Sequence, residues 1–188
     1  MHRNKYKKHS VATLIPLAQN GDIKALEEII KKVQKQVFTM FTHLCKKKED
    51  VPDLTQEALL KMAKSLSKLE NPQKFNAWLS QIITNLFYDY SKKISNKVIN
   101  IEDNSLLEIK DKLKCEPGEK CLFNEIEKIL KQALLNLPED LRLSIVLREF
   151  KGLSYNDIAN ITNSALGTVK SRISRARTKL QNELKDFI

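Results

Sequence analysis

Six residues near the carboxyl end have the types and spacing to read a polyanion: Lys170, Ser171, Arg172, Ser174, Arg175 and Arg177. Between Asn163 and Leu180 there are five basic residues and no acidic one. Val169, Ile173, Ala176, Leu180 and Leu184 step by four, three, four and four, which makes one apolar helical stripe. The basic residues fall on the remaining surface. Arg and Lys reach guanine edges and phosphates, and Ser contacts either. The bland alternative is a solvated basic face. What precedes the helix favours DNA. Ser154-Tyr155-Asn156-Asp157 is an Asp version of a capping box that opens a short helix to Ile161. Thr162-Asn163-Ser164 then reads as a tight turn, with Asn in the left-handed conformation and Ser as cap. Two helices joined by a three-residue turn are the helix-turn-helix plan.

A second group lies near the middle of the chain. Phe75, Trp78, Phe87, Tyr88 and Tyr90 surround Asn85, and Lys92, Lys93 and Lys97 follow. Aromatics beside basic residues suit single-stranded nucleic acid, where bases stack and phosphates pair. Trp78, Ile82, Leu86 and Tyr90 share a helical face and are expected in the core. Asn85 and the Asn71–Phe75 loop are then the candidates for an unstacked base, with Lys92 and Lys93 for its backbone. A third group is Asp53, Gln56 and Glu57, a carboxylate–amide–carboxylate cluster able to pair with basic residues of a protein partner. Asp53 also sits where a helix cap belongs.

Nothing resembles an enzyme's constellation: no carboxylate cluster, His pair or activated nucleophile is legible. Cys45, Cys115 and Cys121 are an odd count and read as reduced thiols; His2, His9 and His43 form no ligand cluster, so no metal or cofactor is expected. The 188 residues carry 33 Lys and Arg against 23 Asp and Glu, a net charge of +10 that favours a polyanionic partner. The basic start and the run Val11–Ala18 are interrupted by Thr13 and Pro16, and no segment approaches a membrane span, so a cytoplasmic protein is expected.

These groups must be positioned by helices. Four glycines and five prolines are too few for an all-β fold. Val11–Asn20 reads as a short helix, and Asp22 caps a longer one striped by Ile23, Leu26, Ile29, Ile30, Val33, Val37 and Met40. Leu54, Ala58, Met62, Leu66 and Leu69 stripe the next. A helix is expected from about Lys74 to Ser95, a linker over Val98–Cys121, and helical pattern again from Leu122 to Asn136. Pro138, Glu139 and Asp140 open a helix that Gly152 ends. The expected fold is all-α: two small helical domains joined by a flexible linker, the second a helix-turn-helix.

The runs Leu137-Pro138-Glu139, Val146–Ala159 and Gly167–Leu180 closely resemble the fourth conserved region of bacterial sigma factors, in the small extracytoplasmic-function group. Leu17–Asp22, Asp53–Glu57 and Phe75–Leu86 with Asp89-Tyr90 resemble that group's second region. The group often has Leu-Gly-Cys-Pro-Val where this chain has Thr162–Leu166.

The resemblance implies a non-enzymatic factor that binds core RNA polymerase and promoter DNA, both double-stranded and melted. Residues 1–97 would bind core through Asp53, Gln56 and Glu57 and capture the −10 element with Phe75, Asn85, Lys92 and Lys93. Residues 98–121 would thread through the polymerase, with Glu102, Asp103, Glu108, Asp111, Glu116 and Glu119 as mimics of nucleic acid. Residues 122–188 would read the −35 element with Lys170, Ser171, Arg172, Ser174, Arg175 and Arg177. An anti-sigma factor is implied as a further partner, and no membrane insertion. The alternative is a helix-turn-helix regulator that acts without polymerase.

Overall fold

The computed structural model describes residues 6–99 and 119–185, with side chains described for 6–96 and 128–185. The calls on Cys115 and on the acids Glu102, Asp103, Glu108, Asp111 and Glu116 lie outside the described residues. So do the side chains of Lys97, Glu119 and Cys121. Among the described residues every regular element is a helix.

Helix α1 (Val11–Gln19) is capped by Ser10, whose Oγ accepts from the Thr13 amide at 3.2 Å. Its Gln19 amide donates to the carbonyls of Leu66 and Leu69 at 2.9 and 2.8 Å. Helix α2 (Ile23–Leu44) is capped by Asp22, which accepts from the Ala25 amide at 3.1 Å. Ile23 leaves the expected stripe: it is solvent-exposed, and Ala25 and Glu28 are buried in its place. Helix α3 (Val51–Ser65) and the 3-10 turn Leu66–Lys68 bury Leu54, Ala58, Met62 and Leu66, with Leu69 just beyond, all as expected. The cap call on Asp53 is corrected. The helix opens three residues earlier, with Asp50 in the cap position and Asp53 an acid of the first turn. Pro52, which lacks an amide donor, fits there.

Helix α4 (Phe75–Ile99) follows the Pro72–Lys74 turn. Its buried side is displaced from the expected one. Phe75, Leu79, Ile83, Leu86 and Phe87 are its buried apolar residues, whereas Trp78, Ile82 and Tyr90 are only partly covered. The physical reason is that α4 is covered from two sides. It packs on α2 and α3 and also on α6 and α7, so a single stripe does not describe it.

Helix α5 (Glu119–Asn136) begins three residues before the expected start. Helix α6 (Glu139–Lys151) has Glu139 and Asp140 in its first turn and ends on Gly152 at φ 63°, the left-handed position that glycine takes without steric cost. Helices α7 (Tyr155–Ile161) and α8 (Leu166–Leu184) complete the chain. One continuous apolar core runs from Leu14 to Ala176 and includes residues of both halves.

Candidate nucleic-acid and protein interfaces

The turn between α7 and α8 is built from local hydrogen bonds. The Asp157 amide donates to Ser154 Oγ at 3.1 Å, and the Ser154 amide donates to Asp157 Oδ2 at 3.2 Å, so the capping box is complete. Asn163 adopts φ 47°, the left-handed conformation expected of it. The Thr162 hydroxyl, which stands where an apolar contact is usual in the resembled group, donates to the Ile158 carbonyl at 2.7 Å. The cap call on Ser164 is corrected: Ala165 holds the cap position with no side-chain bond, and Ser164 donates to the Thr162 carbonyl at 3.1 Å.

Helix α8 sorts its polar residues into two sets. Val169, Ile173 and Ala176 are buried against the core. Lys170, Ser171, Ser174 and Arg175 are exposed on the far side. Lys170 and Arg175 make no ion pair among the described residues. Arg172 is held differently. Its guanidinium pairs with Asp140 Oδ2 at 2.6 Å and donates to Ser164 Oγ at 2.9 Å. Arg177 pairs with Glu149 Oε1 at 2.7 Å, and this bond raises its pKa further. These two arginines of the candidate DNA set therefore tie α8 to α6. Beside the start of α8, Arg148, Ser154, Tyr155, Asn156, Leu166 and Lys170 line an open cleft of about 370 Å³. The Arg148 guanidinium lies 4.9 Å from the centroid of the Tyr155 ring and donates to the Leu153 carbonyl at 2.7 Å.

On α4 the candidates separate. Asn85, Lys92 and Lys93 are exposed. Phe75 is only 4% exposed and packs against Trp78 with ring centroids 5.9 Å apart. It is a core residue, and the call on it as a base-stacking residue is corrected. An aromatic opening a helix next to a polar loop looks like an exposed platform in sequence, but here it closes the end of the core. Asn85 Oδ1 accepts from Gln81 Nε2 at 2.9 Å, and the same nitrogen donates to the Ile161 carbonyl at 3.1 Å.

Asp53, Gln56 and Glu57 are exposed on α3 but do not face one pocket. Asp53 and Glu57 join Lys47, Asp50, Tyr90 and Lys93 around a pocket of about 260 Å³ that Leu54 and Ile94 also line. Glu57 also pairs with Lys61 at 3.1 Å. Gln56 instead borders an apolar groove of about 650 Å³ between α2 and α3, with Ile30, Phe38, Pro52, Leu59 and Leu60. The groove is the feature that sequence reasoning missed. Its signal was present: Phe38 and Leu60 lie off the buried stripes, and they are 46% and 51% exposed.

Burial pushes the Cys45 thiol up to about 12, with nearby Arg142 opposing the shift. It is a protonated, unreactive thiol. Among the described residues no group of three His, Cys, Asp or Glu could hold a metal. No described helix is long and apolar enough to cross a membrane.

Comparison with known proteins covers both halves. Residues 29–96 match the model of Sigma-70 region 2, and residues 127–180 match that of Sigma-70, region 4. The ECF RNA polymerase sigma-E factor of Haemophilus influenzae is 34% identical over 181 residues, covering 93% of this chain and 95% of that protein. The RNA polymerase sigma-H factor of Pseudomonas aeruginosa is 31% identical, covering 93% and 94%. Among solved structures, the sigma factor RpoE in complex with the anti-sigma factor NepR from Bartonella quintana matches with TM-score 0.68 and 29% identity. It covers 87% of this chain and 98% of that one.

Proposed function

The chain belongs to the extracytoplasmic-function sigma factors of the sigma-70 family, which direct transcription, and on that premise we propose that it binds core RNA polymerase and reads a two-part promoter. The observation that carries this reading is the division of α8. Lys170, Ser171, Ser174 and Arg175 stand exposed on the outer side of a capped helix-turn-helix. A recognition helix puts such side chains against base edges in the major groove. They are assigned to the −35 element. Arg172 and Arg177, committed by their acids to holding α8 on α6, are assigned a positioning part.

Asn85 is assigned to a base of the melted −10 element, because its amide offers both a donor and an acceptor. Lys92 and Lys93 are assigned to the backbone of that strand. Core polymerase is assigned to the α2–α3 side, where Asp53, Gln56 and Glu57 supply polar contacts and the groove beside Gln56 supplies apolar area. In this reading residues 1–97 and 122–188 are the two working domains, with 98–121 the connection. The chain performs no catalysis of its own, and an anti-sigma factor is its expected antagonist. A match over both halves disfavours a regulator that acts without polymerase.

Reconstitution with core polymerase, followed by run-off transcription on genomic fragments, tests the reading. Discrete transcripts that require the added chain are expected. Failure to bind core, or transcripts indifferent to the chain, would overturn it.

A further inference from the structure

Leu166 is the first residue of α8, and it is 39% exposed. The residues that seat α8 on the core are Val169, Ile173 and Ala176, and Leu166 is not buried with them. It lines instead the open cleft of about 370 Å³ beside the helix, with Arg148, Ser154, Tyr155, Asn156 and Lys170. No acid is among the residues lining that cleft. Neither Arg148 nor Lys170 makes an ion pair among the described residues. Arg148 is nonetheless held in place, because it donates to the Leu153 carbonyl at 2.7 Å and lies against the Tyr155 ring. The leucine is thus an apolar spot in a cleft that carries two cations, and that charge suits a phosphate backbone passing across it.

The place of Leu166 along the helix says what the apolar spot meets. Leu166, Lys170 and Ser174 follow at four-residue steps, so they form one row along α8. Lys170 and Ser174 are already assigned to base edges, and the leucine continues their surface into the first turn. In a helix-turn-helix the N-terminal residues of the second helix contact base edges in the major groove. A Cβ on Gly167 would meet nothing within 4 Å, so the ground beside the leucine is open. Adenine, guanine and cytosine show that groove donors and acceptors, whereas thymine adds a methyl group beside its O4. A leucine laid on a donor or acceptor strips it of water and returns no hydrogen bond. Laid on the methyl, it covers apolar surface without that cost.

We propose that Leu166 is a specificity-determining residue for the upstream element, and that it selects a thymine by its 5-methyl group. The inference rests on the −35 assignment of α8 above, and adds to it one base and the side chain that reads it. Lys170 and Arg175 choose by hydrogen bonds. The leucine chooses by apolar contact, at the end of the helix where those two do not reach.

The test uses holoenzyme reconstituted from core polymerase and the full chain, on a promoter found by run-off transcription. Each thymine of the upstream element, on either strand, is replaced singly by deoxyuridine. That change removes the methyl and keeps every hydrogen-bonding group. Competition binding should find one thymine whose replacement weakens the complex roughly fourfold, the worth of one buried methylene-sized group. Leu166→Ala should bind that thymine duplex and its deoxyuridine counterpart equally, because the variant lacks the partner of the methyl. The deoxyuridine scan is read on the parent chain, so it does not depend on any variant folding. An upstream element with no sensitive thymine overturns the proposal, and so does a thymine preference that survives in Leu166→Ala. A Leu166→Ala loss that is the same on every duplex overturns it too, and puts the leucine against deoxyribose. Arg175→Ala separates this inference from the one beneath it. If neither Arg175→Ala nor any deoxyuridine weakens the promoter complex, the −35 assignment itself has failed. If Arg175→Ala weakens it and no deoxyuridine does, that assignment stands and the leucine inference alone falls.

Discussion

Arg172 and Arg175 lie three residues apart on one helix, yet they should fail differently. Arg175 is exposed with no acid beside it, and Arg172 is pinned by Asp140 and Ser164. Arg175→Ala should cost about 1–3 kcal/mol on the cognate upstream element and little on a scrambled one. Equal losses on both would argue against base readout. Arg172→Ala should instead lower the melting temperature and weaken all sequences alike. Lys151 provides a residue-scale test in pH. Burial depresses its pKa from 10.5 to about 8, and its ammonium has no hydrogen-bond partner among the described residues. Between those values the unfolded chain binds the proton that the folded chain has lost, so stability should rise as pH rises through that window. Chemical denaturation of Lys151→Met should lack this part of the slope, and an identical slope in parent and variant would contradict the assignment.

At the scale of elements, the apolar groove between α2 and α3 has an expectation of its own. If it is part of the polymerase-docking side, Leu60→Asp should weaken core binding by roughly ten- to a hundredfold, since covering a leucine is worth about 1.5–3 kcal/mol. The helix should survive, because Leu60 is already half exposed. Unchanged affinity in a pull-down or titration with core would take the groove out of the interface. The groove also marks the limit of what the sequence revealed. The helix-turn-helix was legible because its signals are local: a capping box, an asparagine in the turn, a glycine stop and a single apolar stripe on α8. Helix α4 was legible as a helix but its buried face was not, because contacts on two sides mix two stripes, so Phe75 looked available and Ile83 was overlooked. The candidates Asp53, Gln56 and Glu57 are exposed, but their division between two pockets depends on α2 and on Tyr90, which no spacing along α3 records. The Gln81–Ile161 bond spans eighty residues and had no sequence signal at all.

The two halves share one core, and that sharing has a thermodynamic signature. Separate domains joined by a connection melt separately unless an interface couples them. Here Phe87 and Arg142 are buried and meet across the boundary, so parting the halves would expose the Phe87 ring and the Arg142 guanidinium. The free chain should therefore unfold in a single calorimetric transition, with the van't Hoff and calorimetric enthalpies in agreement. Phe150→Ser weakens the boundary while leaving each half its own core, because Phe150 is partly exposed and meets the first half through the His43 ring. In that variant the transition should split, or its van't Hoff enthalpy should fall below the calorimetric one. The decisive comparison is strand opening. Asn85→Ala should impair transcription from duplex promoters, and a pre-melted bubble should relieve much of that loss, because extruding a base costs a few kcal/mol that the bubble has already met. If Asn85→Ala transcribes duplex and bubble templates as well as the parent does, Asn85 does not take the open strand.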